Sequence, residues 1–302
     1  MSVVGSRDAR KEDDVVQLLR EDIQTHEVLD WQGIHLLHYV GSTCSQETRI
    51  FLNLKGIEWV SHRVDLARHE NYTAWFMGIN PRGLVPVLVD DGQVIIESND
   101  ILEYLEAKFP APRLIPDGQG STSHALLAAE DALHLDLRAL SLRYVFGQSK
   151  TMRSEDVLER YEHSGSGTVG GQSDPYKAVE LEFFRSMQRN NGITDEQVRT
   201  SAAKFRAAYD ELEVRLASGA QLLGDEVSLV DIAWYVYSAR LRLAGYPLHP
   251  LHPRVGAWFD ALNARSEFAK EVKEPSFLLE MREQMHVAQD AEGSSLRKVT
   301  GW

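Results

Sequence analysis

An apolar run, Ile34-His35-Leu36-Leu37-His38-Tyr39-Val40, passes without a break into the polar turn Gly41-Ser42-Thr43-Cys44-Ser45 and then into a helical pattern from Gln46 onward. A strand delivered straight to the mouth of a helix begins an α/β unit and marks a place for chemistry. The first N–H groups of a helix lack intrahelical partners and carry partial positive charge, so an anion placed there is stabilised. The chain's only cysteine stands in this turn beside three hydroxyl residues. An oxygen acid would suffice as the anion, but a thiolate is the chemically productive one.

The pattern continues in the same style. Ile50, Phe51 and Leu54 share a helical face that stops at Gly56, a residue suited to a C-terminal cap. A short strand is predicted from Trp59 to Val64 and a helical stretch over Asn71–Gly78. Two strands, Val87–Val89 and Val94–Ile96, flank the hairpin signal Asp90-Asp91-Gly92. Asp100 with Glu103 reads as a capping box for a helix carrying Ile101, Leu102, Leu105 and Phe109. The order is βαβ followed by ββα, so residues 33–112 form the α/β unit. Residues 1–32 are a mostly polar extension, in which Val15, Val16, Leu18, Leu19 and Ile23 suggest one short amphipathic helix.

Pro110, Pro112, Pro116, Gly118 and Gly120 mark a linker. Beyond it the chain is helical in pattern, and an all-α domain is assigned to 121–290 with a tail at 291–302. Val198, Ala202, Phe205, Tyr209, Leu212 and Leu216 recur at spacings of three and four. Ser228 precedes Ile232-Ala233-Trp234 as an N-cap answered by Asp231, although the shorter acid weakens the box. Between the Leu- and Ala-rich residues 121–146 and the helix that carries Val198 lies a long excursion near 147–195, polar and glycine-rich over 147–176.

Composition removes several function classes. Lys+Arg 32 against Asp+Glu 45 gives a formal charge of −13, which disfavours a nucleic-acid surface. One cysteine forbids an internal disulfide or a cysteine-based zinc cage. No apolar run approaches the roughly 20 residues that span a bilayer, and the N-terminus resembles no signal or transit peptide. A cytoplasmic protein bound neither to membrane nor to nucleic acid is expected.

Taken in order, the strand-turn-helix Tyr39–Arg49, Val85-Pro86, Glu97-Ser98 and the Ser228–Asp231 box resemble the glutathione S-transferase superfamily. The resemblance covers roughly residues 33–270 and implies a thioredoxin-like domain followed by an all-helical one. Ser42-Thr43-Cys44-Ser45 with Arg49 is similar to the serine-type turn of the theta and zeta classes, and of bacterial relatives that cleave aryl ethers or dehalogenate hydroquinones. Asn80-Pro81-Arg82-Gly83 is similar to a turn of the ether-cleaving group.

The implied cosubstrate is glutathione, with Ser42 donating to its sulfur. A thiol of pKa near 8.5 is only a few per cent ionised at pH 7. Lowering it by two units takes about 2.7 kcal/mol. A charge-assisted hydrogen bond supplies about 1.5–3 kcal/mol and a helix N-terminus about 0.3–1 kcal/mol, so one hydroxyl plus the helix is enough. Val85-Pro86 corresponds to the family's cis-proline step, against which the cysteinyl part of the tripeptide pairs. Ser98 suits the γ-glutamyl carboxylate and Glu97 its ammonium, while Arg82 is a candidate charge near the glycyl end.

The implied reaction is attack of the thiolate on a small hydrophobic electrophile, such as an aromatic compound, by conjugation or aryl-ether cleavage. Tyr39, Val40 and Gly41, with Leu142, Tyr144, Phe146 and Trp234, are candidate pocket walls, although such aromatics serve equally well as core. Cys44 opens a second reading, a reductive dehalogenase or thiol oxidoreductase, and a non-enzymatic binding protein is a third. The family also implies a homodimer.

Two motifs are discounted. Gly165-Ser166-Gly167-Thr168-Val169-Gly170 fits GxGxxG, but a charged helical segment precedes it, so it reads as a flexible loop. His249 and His252 lie in a proline-punctuated stretch that suggests an extended connector, with no third metal ligand nearby.

Overall fold

In the computed structural model, which describes residues 15–302, β1 spans Ile34–His38 and α1 spans Thr43–Lys55, capped by Gly56 at φ 62°. Then follow β2 (Val60–Arg63), the short α2 (Ala74–Met77), the β3 (Val87–Asp90) and β4 (Gln93–Ile96) hairpin, and α3 (Ser98–Lys108). The sheet order is β2-β1-β3-β4, with β1 parallel to β2 and the other neighbours antiparallel. Next come α4 (Gly120–Asp131), α5 (His134–Tyr144) and α6 (Gln148–Thr151). The excursion holds α7 (Glu155–His163), β5 (Thr168–Val169), β6 (Gln172–Ser173) and α8 (Tyr176–Arg189). The remainder is α9 (Asp195–Arg215), α10 (Leu229–Leu243), α11 (Leu248–Leu251), α12 (Pro253–Asn263), α13 (Ser266–Val272), α14 (Ser276–Ala291) and α15 (Leu296–Thr300). No helix among the described residues is long and apolar enough to cross a membrane.

The chain divides into two units. The first takes in the described residues up to Pro112 together with Arg153–Ser186, and the second takes Arg113–Met152 and Met187–Trp302. Most of the excursion therefore belongs with the α/β unit, not with the helices that surround it in sequence.

Strand alternation sorts the core of the first unit. Leu37, Val87, Val89, Val94 and Ile96 share a cluster with Val16, Leu18, Ile23 and Val28 from the extension. Leu36, Leu88 and Ile95, all fully buried, are the alternate residues left for the opposite face. The extension does not form the amphipathic helix read from its sequence. Leu18 N–H donates to Val94 O at 2.8 Å, and Ile96 N–H donates to Val16 O at 3.0 Å. An edge strand has unpaired backbone groups along one side, and these residues occupy that side of β4. Two short 3₁₀ turns follow, and the N–H groups of Gln24 and Thr25 both reach Gly78 O, at 2.7 and 2.9 Å.

The capping box expected at Asp100 also gives way. The N-cap of α3 is Glu97, three residues earlier, and the Asp100 carboxylate accepts Val16 N–H at 2.9 Å. The glycine-rich 165–170 stretch, read as a flexible loop, runs into strand β5 of a two-stranded hairpin that turns at Gly170-Gly171. It is latched by Asp22, which accepts Thr168 Oγ1 at 2.6 Å and Gly171 N–H at 3.1 Å.

In the second unit the periodic residues Val198, Ala202, Phe205, Tyr209 and Leu212 are buried along α9. A Thr194–Gln197 capping box starts that helix. The Ser228–Asp231 box at α10 is complete despite the short acid: Ser228 N–H donates to Asp231 Oδ2 at 2.8 Å. Asp231 Oδ1 also accepts Leu222 N–H and Trp258 Nε1–H, so the residue organises three segments. The proline stretch is not an extended connector. Pro250 lies in α11 and Pro253 opens α12, because a first helical turn needs no N–H from proline.

Candidate functional site

The sheet register aligns Leu37, Val87 and Ile96 in one row across β1, β3 and β4. Immediately past that row, at the same end of the sheet, come the Tyr39–Ser42 turn after β1, Val85-Pro86 before β3, and Glu97-Ser98 after β4. Segments far apart in sequence are thereby brought to one edge by strand pairing alone.

Ser42 is the N-cap of α1, its Oγ accepting Ser45 N–H at 3.3 Å. The residue is half-buried. A hydroxyl has one proton and two acceptor lone pairs, so capping as an acceptor leaves its own proton to donate. The turn is held from behind by its helix. Arg49 donates to Tyr39 O at 3.3 Å and to Val40 O at 3.2 Å, and Gln46 Nε2 reaches Val40 O at 3.3 Å. Val40 itself is 44% exposed. Cys44 is the second residue of α1 and half-buried, and its carbonyl accepts the Thr48 hydroxyl at 3.1 Å.

The Val85-Pro86 peptide bond is cis. Because β3 starts at Val87, the Val85 backbone lies beyond the β1–β3 ladder. The turn before it is fixed from several sides. Asn80 Nδ2 donates to Leu84 O and Asn80 Oδ1 accepts Arg82 N–H, while Asn71 Nδ2 donates to Gly83 O and the Tyr161 hydroxyl to Arg82 O. Gly83 has φ 65°, and a Cβ there would sit 2.9 Å from Met77 Sδ and 3.0 Å from the Tyr161 ring, so only glycine fits.

Helix α3 opens differently from α1, α9 and α10. Its N-cap is Glu97, at φ 69°, with no side-chain cap hydrogen bond. Among the described residues neither the N–H nor the hydroxyl of half-buried Ser98 is engaged. An uncapped helix N-terminus with a hydroxyl beside it is suited to a carboxylate.

Arg82, expected as a charge beside the glycyl end, directs its donors elsewhere. Nη1 meets Glu97 Oε1 at 2.6 Å, while Nε and Nη2 grip Asp174 Oδ2 and Oδ1 at 2.8 and 2.9 Å. Burial works against the Arg82 charge, yet the two carboxylates outweigh it and hold the pKa above its ordinary value. The Tyr176 ring lies 5.1 Å from the guanidinium carbon.

Tyr144 and Trp234 belong to the core of the second unit. Tyr144 is fully buried with its hydroxyl on Ser294 O, and Trp234 Nε1 donates to Leu126 O. Burial pushes the Tyr144 hydroxyl up to about 12. Leu142 is half-buried, and Phe146 is exposed beneath the Arg240 guanidinium. His249 and His252 point to different partners: His249 pairs with Asp260 at 2.8 Å, and buried His252 with the Tyr246 hydroxyl at 2.9 Å.

Sequence reasoning passed over Asp174, Asn71 and Tyr161. Asp174 is 92 residues from Arg82, and nothing local distinguishes it from any other loop carboxylate.

Two family models match: "Glutathione S-transferase, N-terminal domain" over residues 41–108, and "Glutathione S-transferase, C-terminal domain" over residues 195–261. A probable maleylacetoacetate isomerase of Vibrio cholerae is 38% identical over 243 residues, which span 78% of this chain and 95% of that protein. Protein LigF of Sphingobium sp. is 27% identical over 74% of this chain and 86% of its own. Its crystal structure, described as a beta-etherase, superposes with a TM-score of 0.64 at 24% identity, covering 80% of this chain and 98% of LigF. A zeta-class glutathione S-transferase of Euphorbia esula is 45% identical over 83 residues, a match that spans 28% of this chain and only 37% of that protein.

Proposed function

Given that the chain belongs to the glutathione S-transferase family, we propose that it binds glutathione along the shared end of β1, β3 and β4 and turns the thiolate on a hydrophobic, aromatic electrophile. The observation that carries this reading is the common row Leu37–Val87–Ile96 with Ser42, Pro86 and Ser98 just beyond it. Adjacent strands lie about 4.8 Å apart, so β1 to β4 across β3 is roughly 10 Å. An extended tripeptide at about 3.3 Å per residue covers the same span.

In that placement the sulfur lies at the Ser42 end. The Ser42 O–H donates to the thiolate, and the N-terminus of α1 adds its partial positive charge. The cysteinyl backbone pairs with Val85, as an added strand would. The γ-glutamyl carboxylate takes the open N-terminus of α3 at Ser98, and its ammonium meets Glu97. The electrophile approaches over the exposed Val40. In aryl-ether cleavage the C–S bond forms as the C–O bond breaks, and the departing phenolate takes a proton from water. The likeness to LigF supports this chemistry. The likeness to the Vibrio protein supports a second, glutathione-catalysed cis–trans isomerisation, in which the thiolate adds to a double bond and leaves again. A homodimer acting in the cytoplasm, where glutathione is kept reduced, completes the proposal.

The test is incubation of the purified protein with glutathione and, separately, a model β-aryl ether and a maleyl-type cis-olefin. Phenol release with a stoichiometric glutathione adduct supports ether cleavage. Isomer formation without glutathione consumption supports the second chemistry. No calorimetric binding of glutathione would overturn both.

A further inference from the structure

Glu97 presents one engaged and one available oxygen. Oε1 takes Arg82 Nη1 at 2.6 Å; Oε2 has no hydrogen-bond partner among the described residues, and the side chain is 23% exposed. Arg82 could have taken both oxygens. A guanidinium pairs with a carboxylate most favourably as a two-bond fork, and such a fork on Glu97 would leave no acceptor for a ligand. Asp174 prevents this by occupying the fork itself, with Nε–Oδ2 at 2.8 Å and Nη2–Oδ1 at 2.9 Å. Both partners are nearly buried, at 8% and 10% side-chain exposure. Stacking on Tyr176 and the Tyr161 bond to the Arg82 carbonyl hold the arginine from the same excursion.

We propose that Asp174 is a specificity-determining positioning residue for the γ-glutamyl end of glutathione, holding Arg82 so that Glu97 keeps an oxygen for the ligand's ammonium. This rests on the reading of the sheet end as a glutathione site. The ligand class it selects is a γ-glutamyl thiol with a charged α-amino group, against analogues lacking that amine. The excursion is thus part of cosubstrate recognition in the first unit, supplied by the same chain.

The experiment compares glutathione with its des-amino analogue, glutaryl-cysteinyl-glycine, by calorimetry at neutral pH on the full-length protein. Wild type should prefer glutathione by about tenfold or more, the scale of a hydrogen bond to a charged group. Asp174→Asn should bring the two affinities to within about threefold by weakening glutathione alone, with kcat at saturating glutathione unchanged. Glu97→Gln should lose the same preference, and the double variant should lose no more than either single one. A merely structural Asp174 would weaken both ligands alike, and that result overturns the proposal, as does an Asp174→Asn variant that keeps the wild-type preference. Should Asp174→Asn fail to fold, Glu97→Gln and Asp174→Glu carry the test: the proposal requires the first to lose the preference and the second to retain it. A wild type that binds neither ligand overturns the glutathione reading and this inference with it. One that binds both without preference overturns this inference alone.

Discussion

Asp22 accepts the backbone N–H of Gly171, at 3.1 Å on Oδ1 and 3.3 Å on Oδ2, across 149 positions of sequence. The extension before β1 and the hairpin of the excursion, the two parts of this chain least like a plain transferase, are therefore fastened to each other. Asp22 is fully buried and also accepts Leu19 N–H and the Thr168 hydroxyl. Through this latch the segment that carries Asp174 is kept beside Arg82.

Replacing that carboxylate deletes the part-buried bonds from Leu19 N–H, the Thr168 hydroxyl and Gly171 N–H, and a hydrogen bond to a charged group contributes about 1.5–3 kcal/mol. Asp22→Ala should lower the urea midpoint by the equivalent of about 2 kcal/mol or more. Proteolytic cleavage within residues 164–175 should accelerate. A variant with the wild-type midpoint and cleavage rate would show the latch to be energetically idle.

Ser42 combines a cap with a proposed donor, and two substitutions separate the roles. Ser42→Ala removes both; Ser42→Gly removes the hydroxyl at a cost to the cap of only a few tenths of a kcal/mol. Both should raise the apparent pKa of bound glutathione and cut turnover by about 10²-fold, as when one donor to an anion is deleted. Only the alanine variant should also lose about 1 kcal/mol of stability. Unchanged turnover and thiol pKa in Ser42→Gly would falsify Ser42 as the activator.

Ser98→Ala should weaken glutathione binding by about 1.5–3 kcal/mol, the scale of a hydrogen bond to a charged group. Because the γ-glutamyl end is remote from the reacting sulfur, the effect should fall on KM for glutathione and leave kcat nearly intact. Steady-state kinetics at varied glutathione distinguish the two. A collapse of kcat with binding preserved would mean that the tripeptide runs otherwise.

Local signals made much of this fold legible. Ile34–His38 and Thr43–Lys55 follow from one apolar run, one polar turn and Gly56; the β3–β4 hairpin follows from Asp91-Gly92; and α10 follows from Ser228 and Asp231. The first turn of the proposed site was legible as a strand end at a helix mouth, whereas Val85-Pro86 and Glu97-Ser98 were marked by the family resemblance. The failures were non-local. Val15, Val16, Leu18 and Leu19 satisfy a helical face and a strand alternation equally well, and only pairing with β4 decides between them. Pro250 and Pro253 look like helix breakers until their place in first turns is seen. Asp174 acquires its meaning only from Arg82, which no window of sequence contains.

The second unit contains a titration that should appear in its acid stability. His134 is half-buried against the Tyr237 hydroxyl and Arg138, and desolvation first, then the charge of Arg138, hold its pKa at about 3. Unfolded, the same histidine titrates near 6.5. Below pH 6.5 the unfolded state binds a proton that the folded state does not, so the neutral form's stabilisation is complete above 6.5 and falls as pH drops toward 3. His134→Gln removes this dependence. Between pH 6.5 and 5 the wild type should lose about 2 kcal/mol more than the variant. Paired denaturation curves at the two pH values check this, and parallel acid limbs would refute it.

Cys44 separates the chemistries open to the site. In reductive displacement, glutathione first replaces a leaving group on carbon. A second thiolate then attacks the glutathionyl sulfur, forming a mixed disulfide while the carbon takes a proton, and a second glutathione must resolve that disulfide. Were Cys44 the second thiol, Cys44→Ser would stall with a glutathionyl substrate while the first step continued. In conjugation or ether cleavage that adduct is already the product, so the variant should turn over like wild type. We expect the latter. Ser42 already caps α1 and has a proton to donate, so the turn needs no cysteine to hold a thiolate, and a single protein thiol has no internal partner with which to close a disulfide. Mass spectrometry of variant turnover mixtures decides the matter: an accumulating adduct with loss of a reduced product would assign Cys44 the reductive step.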